Sequence, residues 1–346
     1  MNKPRSLTIT TLIAAAAVAV VVSGCGSSDS ADQSEAKAPV SVALDWTPNT
    51  NHIGIFVADQ LGYYKDEGLK IKILPYASTQ PETLVALGKA DFAVGNQAGI
   101  AYARASGQDV LQVMANIAKT QYAIGVGAGN SAIKSPKDLD GKTYAGFGTP
   151  DEGPELKYVI KADGGTGVFK TITLNTTAYE AVYDGSADFT IAVTTWEGIQ
   201  AKLIGKPMRF FEFTDYGFPA QYSSVIESSN KYLNANSGTA KKFLAATQKG
   251  YRYAQSHPAE AAKLLVKANP QTIKDANLAQ QSALMLASDG YYKGAGGKIG
   301  PVDPAIWSKY GSFLYSSKLL TGANGKPLTS EPDWSTYYTN DFLPGG

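Results

Sequence analysis

The chain has 346 residues, 44 % hydrophobic and 18 % charged; this is enough apolar material for two lobes of ~100–200 residues each and excludes a mainly disordered polymer. Lysine and arginine total 31 against 30 aspartates and glutamates, so no global charge draws the chain to nucleic acid or to an anionic membrane surface. One cysteine excludes internal disulfides and multi-cysteine metal sites, and two histidines leave little for zinc chemistry.

Lys3 and Arg5 precede an apolar run over residues 12–22, the layout and length of an export signal. A permanent membrane-spanning helix needs ~20 apolar residues. The run ends in Val22-Ser23-Gly24-Cys25, which resembles the bacterial lipobox, where the chain is cut before a cysteine that carries lipid. The reading is a signal over 1–24, a lipid on Cys25 and a flexible polar tether over 25–39. The mature chain would hold 29 basic and 30 acidic residues at the outer face of the cell membrane.

From Val40 onward, strand-like and helical patterns alternate. Residues 40–44 read as a buried strand, and residues 52–68 as one helix closed by Gly68. Residues 69–73 alternate apolar with lysine, as a half-exposed strand does. Further strands are expected at 91–95, 110–115, 122–126, 143–146, 189–193 and 208–213. After Tyr222 the pattern turns helical, over 237–255, 258–268, 272–287 and 304–320. The stretch Gly88-Lys89-Ala90-Asp91-Phe92 returns 97 positions later as Gly185-Ser186-Ala187-Asp188-Phe189. Each copy reads as a helix stop followed by an apolar strand. The alternation and the echo predict an α/β protein with two similar lobes of doubly wound, mainly parallel sheet. The lobes are expected over 40–125 with 222–346, and over 126–221.

The stretch Leu44-Asp45-Trp46-Thr47-Pro48-Asn49-Thr50-Asn51-His52, continued by Gly62-Tyr63-Tyr64-Lys65-Asp66-Glu67-Gly68-Leu69, resembles the thiamine-precursor binding proteins. These are substrate-binding subunits of ABC importers for formylaminopyrimidine or hydroxymethylpyrimidine, within a superfamily that also serves nitrate and taurine. Trp196-Glu197-Gly198 and Tyr338-Thr339-Asn340-Asp341-Phe342-Leu343-Pro344 fit the same group, and the likeness spans residues 40–344. It implies a two-lobed type II periplasmic-binding-protein fold with the ligand in the cleft between lobes. It also implies a non-enzymatic monomer without a cofactor, whose partners are a small heteroaromatic ligand, a permease with its ATPase, and the membrane through the anchor. Fungal pyrimidine synthases share that fold, but use a cysteine run and a cofactor lysine. Here no cysteine run exists, and Pro48-Asn49-Thr50-Asn51 precedes His52 where the lysine is expected. Nitrate, a sulfonate or a riboflavin-like heterocycle is the alternative ligand, and a sensor without a transporter the alternative role.

Site residues follow strand ends, where open α/β sheets bind ligands. After the first strand, Trp46, Asn49 and Asn51 are either a turn with a core indole or a stacking and hydrogen-bonding edge for a flat ring. Asn96 and Gln97 either cap a helix or face the ligand. Trp196 and Glu197 are expected to hold an aminopyrimidine, its amine and a protonated ring nitrogen both donating to the carboxylate; the alternative is a glutamate favoured by the helix dipole. Thr149 to Glu152 matches a capping box. Pro154 would then fall inside the helix, so 149–153 is read as a loop that brings Asp151 and Glu152 to the cleft. Tyr122 and Tyr222 flank the expected crossings between lobes, beside Gln121 and Gln221. Only Arg104, Arg209 and Arg252 remain after signal removal, which argues against an anionic ligand held by a guanidinium fork. No nucleophile–base motif, Walker loop or metal motif is present.

Overall fold

The computed structural model describes residues 39–345; the expected signal, Cys25 and all of the tether but Pro39 lie outside them. Among these residues, ten strands fall into two sheets of five. The first has the order β2-β1-β3-β10-β4, from β1 (Val40–Ala43), β2 (Ile71–Leu74), β3 (Phe92–Gly95), β4 (Leu111–Ile117) and β10 (Ser224–Ser228). The second has the order β7-β6-β8-β5-β9, from β5 (Tyr122–Gly127), β6 (Thr143–Gly146), β7 (Lys170–Thr173), β8 (Phe189–Val193) and β9 (Met208–Glu212). In each sheet the first three strands run parallel and the fourth runs against both neighbours. The sheets therefore share one topology. The echoed segments build β3 and β8, the central strands of the two sheets.

Among the described residues, twelve α-helices cover the sheets. They are α1 (Ile53–Gln60), α2 (Tyr63–Asp66), α3 (Pro81–Ala86), α4 (Gln97–Ala105), α5 (Glu152–Ala162), α6 (Ala178–Asp184), α7 (Glu197–Leu203), α8 (Asn230–Ala235), α9 (Ser237–Ser256), α10 (Pro258–Ala268), α11 (Ala276–Ser288) and α12 (Pro304–Ser316). The helix expected over 52–68 is divided: Gly62 takes φ +76°, a left-handed geometry that ends α1 and redirects α2. Two strands were not expected. All four residues of β7 are exposed, so this edge strand shows no apolar face. All five residues of β10 are buried, yet Ser-Val-Ile-Glu-Ser holds only two large apolar side chains.

The expected lobe boundary at 125/126 falls inside β5, whose residues all pair in the second sheet. The chain crosses between sheets at 118–121 and returns at 217–223. These crossings lie side by side: Thr120 Oγ1 donates to Gln221 O and accepts from Gln221 N, each at 2.9 Å. The Gln121 amide donates to Ser223 Oγ at 2.9 Å. A β-bulge in β10 and β4 marks the return into the first sheet.

Against the first sheet, α1 packs on α9 through glycines. A Cβ on Gly54 would overlap the Tyr251 ring, and one on Gly250 would overlap the Gly54 carbonyl. The C-terminal helices return to this lobe, and α12 also reaches the second through an aromatic cluster. Phe313 lies 4.8 Å from Phe218 and 5.9 Å from Tyr158, centroid to centroid.

Candidate functional site

In each sheet the first and central strands of the parallel set end in the segments singled out by sequence. β1 runs into Asp45-Trp46 and β3 into Asn96, while β6 runs into Phe147–Glu152 and β8 into Trp196-Glu197. The carboxyl ends of parallel strands, together with helix N-termini, make the ligand-facing rim of an α/β sheet. Here two such rims are joined by the paired crossings.

Hydrogen bonds tie the rims together at Gln121. Its Nε2 donates to Asn51 Oδ1 of the first lobe at 3.1 Å and to Thr195 Oγ1 of the second at 2.6 Å. Gln121 Oε1 is buried without a partner. Asn51 is fixed from behind, its carbonyl accepting from Asn116 Nδ2 at 3.1 Å and from the Tyr251 hydroxyl at 2.6 Å. Trp46 is half-buried, its ring 5.4 Å from Tyr76 and tilted 45° to it. Trp196 belongs to the second lobe, yet packs against the apolar core of the first. Asn51, Gln121, Thr195 and Trp196 thus make a continuous polar and aromatic contact across the lobes.

Glu197 opens α7. It is 6 % exposed, and its Oε2 has no partner. Burial pushes its carboxyl up to about 8, against a smaller downward pull from its own amide and the Val193 backbone. At neutral pH it therefore stands as a neutral acid, able to donate and accept on one edge. Tyr122, Tyr179 and Tyr183 surround it closely enough for its charge to raise their phenol pKa values, after burial itself. The tyrosines on α6 were missed by sequence reasoning; their i, i+4 spacing on a short helix beside β8 was the available signal. Tyr122 donates to Ser223 O at 3.3 Å and sits within the influence of Asp45, Asp151, Glu155 and Glu197.

Other expected ligand residues hold the framework. Gln97 is fully buried; its Oε1 accepts from Tyr222 N at 3.0 Å and its Nε2 donates to Ile306 O at 3.3 Å. Tyr222 is fully buried too, and its hydroxyl accepts from Asp303 N at 2.7 Å. Both side chains are spent on joining α4, the return crossing and α12. Asn49 caps the short helix Thr50–His52, accepting from Asn51 N at 2.8 Å, and its Nδ2 donates to Thr47 O. Asn96 caps α4 by accepting from Gly99 N at 2.8 Å.

Glu152 is a correction with a clear cause. Oε1 accepts from Thr149 N and Oγ1 at 2.7 and 2.9 Å; Oε2 accepts from the Tyr144 hydroxyl and Phe147 N at 2.8 and 3.0 Å. With four donors seated, it has nothing left for a ligand. α5 starts at Glu152 after Asp151 rather than after Thr149, so the expected loop holds for 149–151 only, and Pro154 lies in the first turn, where amides have no intrahelical acceptor. Its neighbour Asp151 remains open, with Oδ1 buried and unpartnered and the equally unpartnered Tyr102 hydroxyl of α4 alongside. Deeper in α5, Glu155 accepts from the Tyr310 hydroxyl at 2.8 Å and from Gln221 Nε2 at 3.2 Å, linking α5 to α12 and the return crossing.

His52 is fully buried and engaged at both nitrogens, Nδ1 accepting from Asn49 N at 3.2 Å and Nε2 pairing with Asp45 at 2.8 Å. None of the three arginines among the described residues lies in the rims. Arg104 donates to Val110 O and stacks on Tyr337, Arg209 donates to Asn130 O and Ile133 O, and Arg252 is exposed on α9. Among the described residues, no three His, Cys, Asp or Glu side chains gather in a metal-binding group.

Comparison with known proteins agrees with this architecture. The model of a family described as NMT1/THI5 like matches residues 49–261. A formylaminopyrimidine-binding protein of Halalkalibacterium halodurans is 27 % identical over 317 residues, 89 % of this chain and 93 % of the relative. A 4-amino-5-hydroxymethyl-2-methylpyrimidine phosphate synthase of Legionella pneumophila is 27 % identical over 244 residues, 69 % of this chain and 76 % of the relative. The crystal structure of the periplasmic aliphatic sulphonate binding protein SsuA from Escherichia coli superimposes with a TM-score of 0.64 at 18 % identity. That match covers 87 % of this chain and 97 % of the other, and the fold is that of the periplasmic binding proteins.

Proposed function

The chain belongs to the NMT1/THI5-like family, and on that premise we propose that it is a solute-binding protein that closes its two lobes on a thiamine pyrimidine precursor. Formylaminopyrimidine and hydroxymethylpyrimidine are the ligands in view, and the recipient is the permease of an ABC importer. The observation that carries the reading is Glu197, a buried, half-unpartnered acid at the head of α7 among tyrosines and Trp196. A 4-aminopyrimidine offers a donor amine beside an acceptor ring nitrogen, the complement of a neutral carboxylic acid. One proton serves the pair, on the acid or on the ring. Trp46 and Trp196 supply indole faces for the ring, each worth ~0.5–1.5 kcal/mol beyond area burial. Asn51 and Gln121 fix the lobes around it.

Export through the signal over 1–24, a lipid on Cys25 and the tether belong to the same proposal. They hold a monomeric receptor at the outer face of the membrane beside its permease. The synthase relatives set the opposing possibility. His52, sealed on both nitrogens, and the absence of lysine in Pro48-Asn49-Thr50-Asn51 favour capture over synthesis. Incubation with pyridoxal phosphate, borohydride reduction and intact-mass measurement are expected to show no stoichiometric adduct at a single lysine; such an adduct would favour the enzyme. The direct test of the ligand is mass spectrometry of small molecules released when the purified protein is denatured. An aminopyrimidine is expected, and a sulfonate or a flavin in its place would reject the assignment.

A further inference from the structure

Charge that balances over the whole chain is uneven within it. Residues 230–268, from α8 to α10, hold seven lysines and arginines against one glutamate, and that glutamate, Glu260, is paired with Lys263 at 2.8 Å. The density is highest on α9, which carries no acid. Its buried residues, among them Phe243, Leu244 and Tyr251, belong to the first-lobe core. Lys241, Lys242, Lys249 and Arg252 are all exposed, and at 3.6 residues per turn they fall within ~100° of arc on the opposite side. This stripe borders the root of β1. Lys249 stands over the Tyr63 ring of α2 at 3.9 Å, and Lys242 Nζ donates to Glu67 O at 3.2 Å. The same segment leads to Lys70, whose carbonyl accepts from Val40 N at 2.8 Å, at the start of β1. Lys65 and Lys70 are exposed and add two charges to the four on α9, against three from Asp59, Asp66 and Glu67.

We propose that the basic stripe on α9 rests on anionic phospholipid headgroups of the membrane that holds the protein. The inference rests on the proposed lipid at Cys25 and deepens it by naming the face turned to the bilayer. Cys25 lies fifteen residues before Val40, a span of at most ~50 Å even fully extended. So short an anchor brings the root of β1 near the bilayer, and the surface beside that root is the basic one. Exposed ammonium and guanidinium groups reach lipid phosphates without leaving a buried partner unpaired. β1 runs from this end toward Asp45 and the rim, so the contact leaves the strand ends that frame the cleft away from the bilayer. The competing occupant is residues 26–39, with three acids and one lysine.

The test is co-sedimentation with lipid vesicles at pH 7, on residues 38–346, which form one compact unit, and on residues 26–346. At ~50 mM salt, vesicles with about 30 % phosphatidylglycerol are expected to bind both chains at least tenfold better than pure phosphatidylcholine, and the excess to vanish near ~500 mM. Replacing Lys241, Lys249 and Arg252 together by glutamine is expected to abolish the excess. Replacing the exposed Lys157, Lys161 and Lys170 of the second lobe by glutamine removes the same charge and is expected to leave it. Equal binding to the two lipids would overturn the inference, as would equal losses in the two triple variants. Binding by residues 38–346 that disappears in residues 26–346 would also overturn it, in favour of the acidic segment as occupant. The anchor is read separately, by intact mass of protein extracted from membranes, so failure of that reading is distinct from failure of the surface.

Discussion

At the scale of single residues, the chemistry turns on where one proton sits. Glu197 holds its proton up to about pH 8 because burial disfavours the charged form. A bound aminopyrimidine needs one proton between itself and this acid. Below pH 8 the free protein already carries it; above, the proton must be taken up on binding. Affinity is therefore expected to be level from pH 6 to 7.5 and to fall, by at most ~tenfold per unit, above pH 8. Glu197→Gln reproduces the donor–acceptor edge without titrating, so titration calorimetry is expected to give near wild-type affinity at pH 7 and no fall above pH 8. Glu197→Ala is expected to lose ~1–3 kcal/mol of binding. A wild-type profile flat to pH 9.5 would remove Glu197 from the ring-binding role. The position of Trp196 and Glu197 at the rim was legible because they follow a readable strand directly. Gln97, Tyr222, Asn49 and Glu152 were not, since a polar side chain at a strand end serves a cap or a crossing as readily as a ligand. Composition does not distinguish these uses; only the partners do.

Among elements, close approach is set by glycine. Gly250 of α9 meets the Gly54 carbonyl of α1, and a methyl group there has no space. Gly250→Ala is expected to destabilise the fold by ~1–3 kcal/mol, read as a lower urea midpoint with little change in slope. An unchanged midpoint would show that α1 and α9 can separate at no cost. Strands with apolar runs were found within one or two residues of their ends, as at β6 and β8. The failures were β7, exposed along its length, and β10, whose buried serines and Glu227 do not look apolar. Both lie where tertiary pairing overrides composition. β10 matters most, because it closes the first sheet after the second is built.

For the whole molecule, the repeat in the sequence becomes a repeat in topology, with two sheets of equivalent strand order joined by paired crossings. Burial raises the pKa of Glu82 and Glu212 to about 7, that of Glu197 to about 8, and those of Glu155 and Glu227 well above the ordinary value. Each group therefore contributes stability that is full below pH 4.5 and is lost as pH rises through its folded value. Ligand-free protein is expected to show a urea midpoint that declines from pH 6 to pH 8.5; a midpoint that rises over this range would contradict the buried neutral acids. The central claim is capture of a pyrimidine precursor between the lobes, and thermal unfolding with defined compounds tests it most directly. A ligand bound near 1 μM, ~−8 kcal/mol, adds ~2.7 kcal/mol of stability at a hundredfold excess over Kd, which amounts to several degrees in Tm. Hydroxymethylpyrimidine or formylaminopyrimidine is expected to raise Tm by that amount, while nitrate and taurine leave it unchanged. A rise with nitrate or taurine, and none with any pyrimidine, would contradict the account.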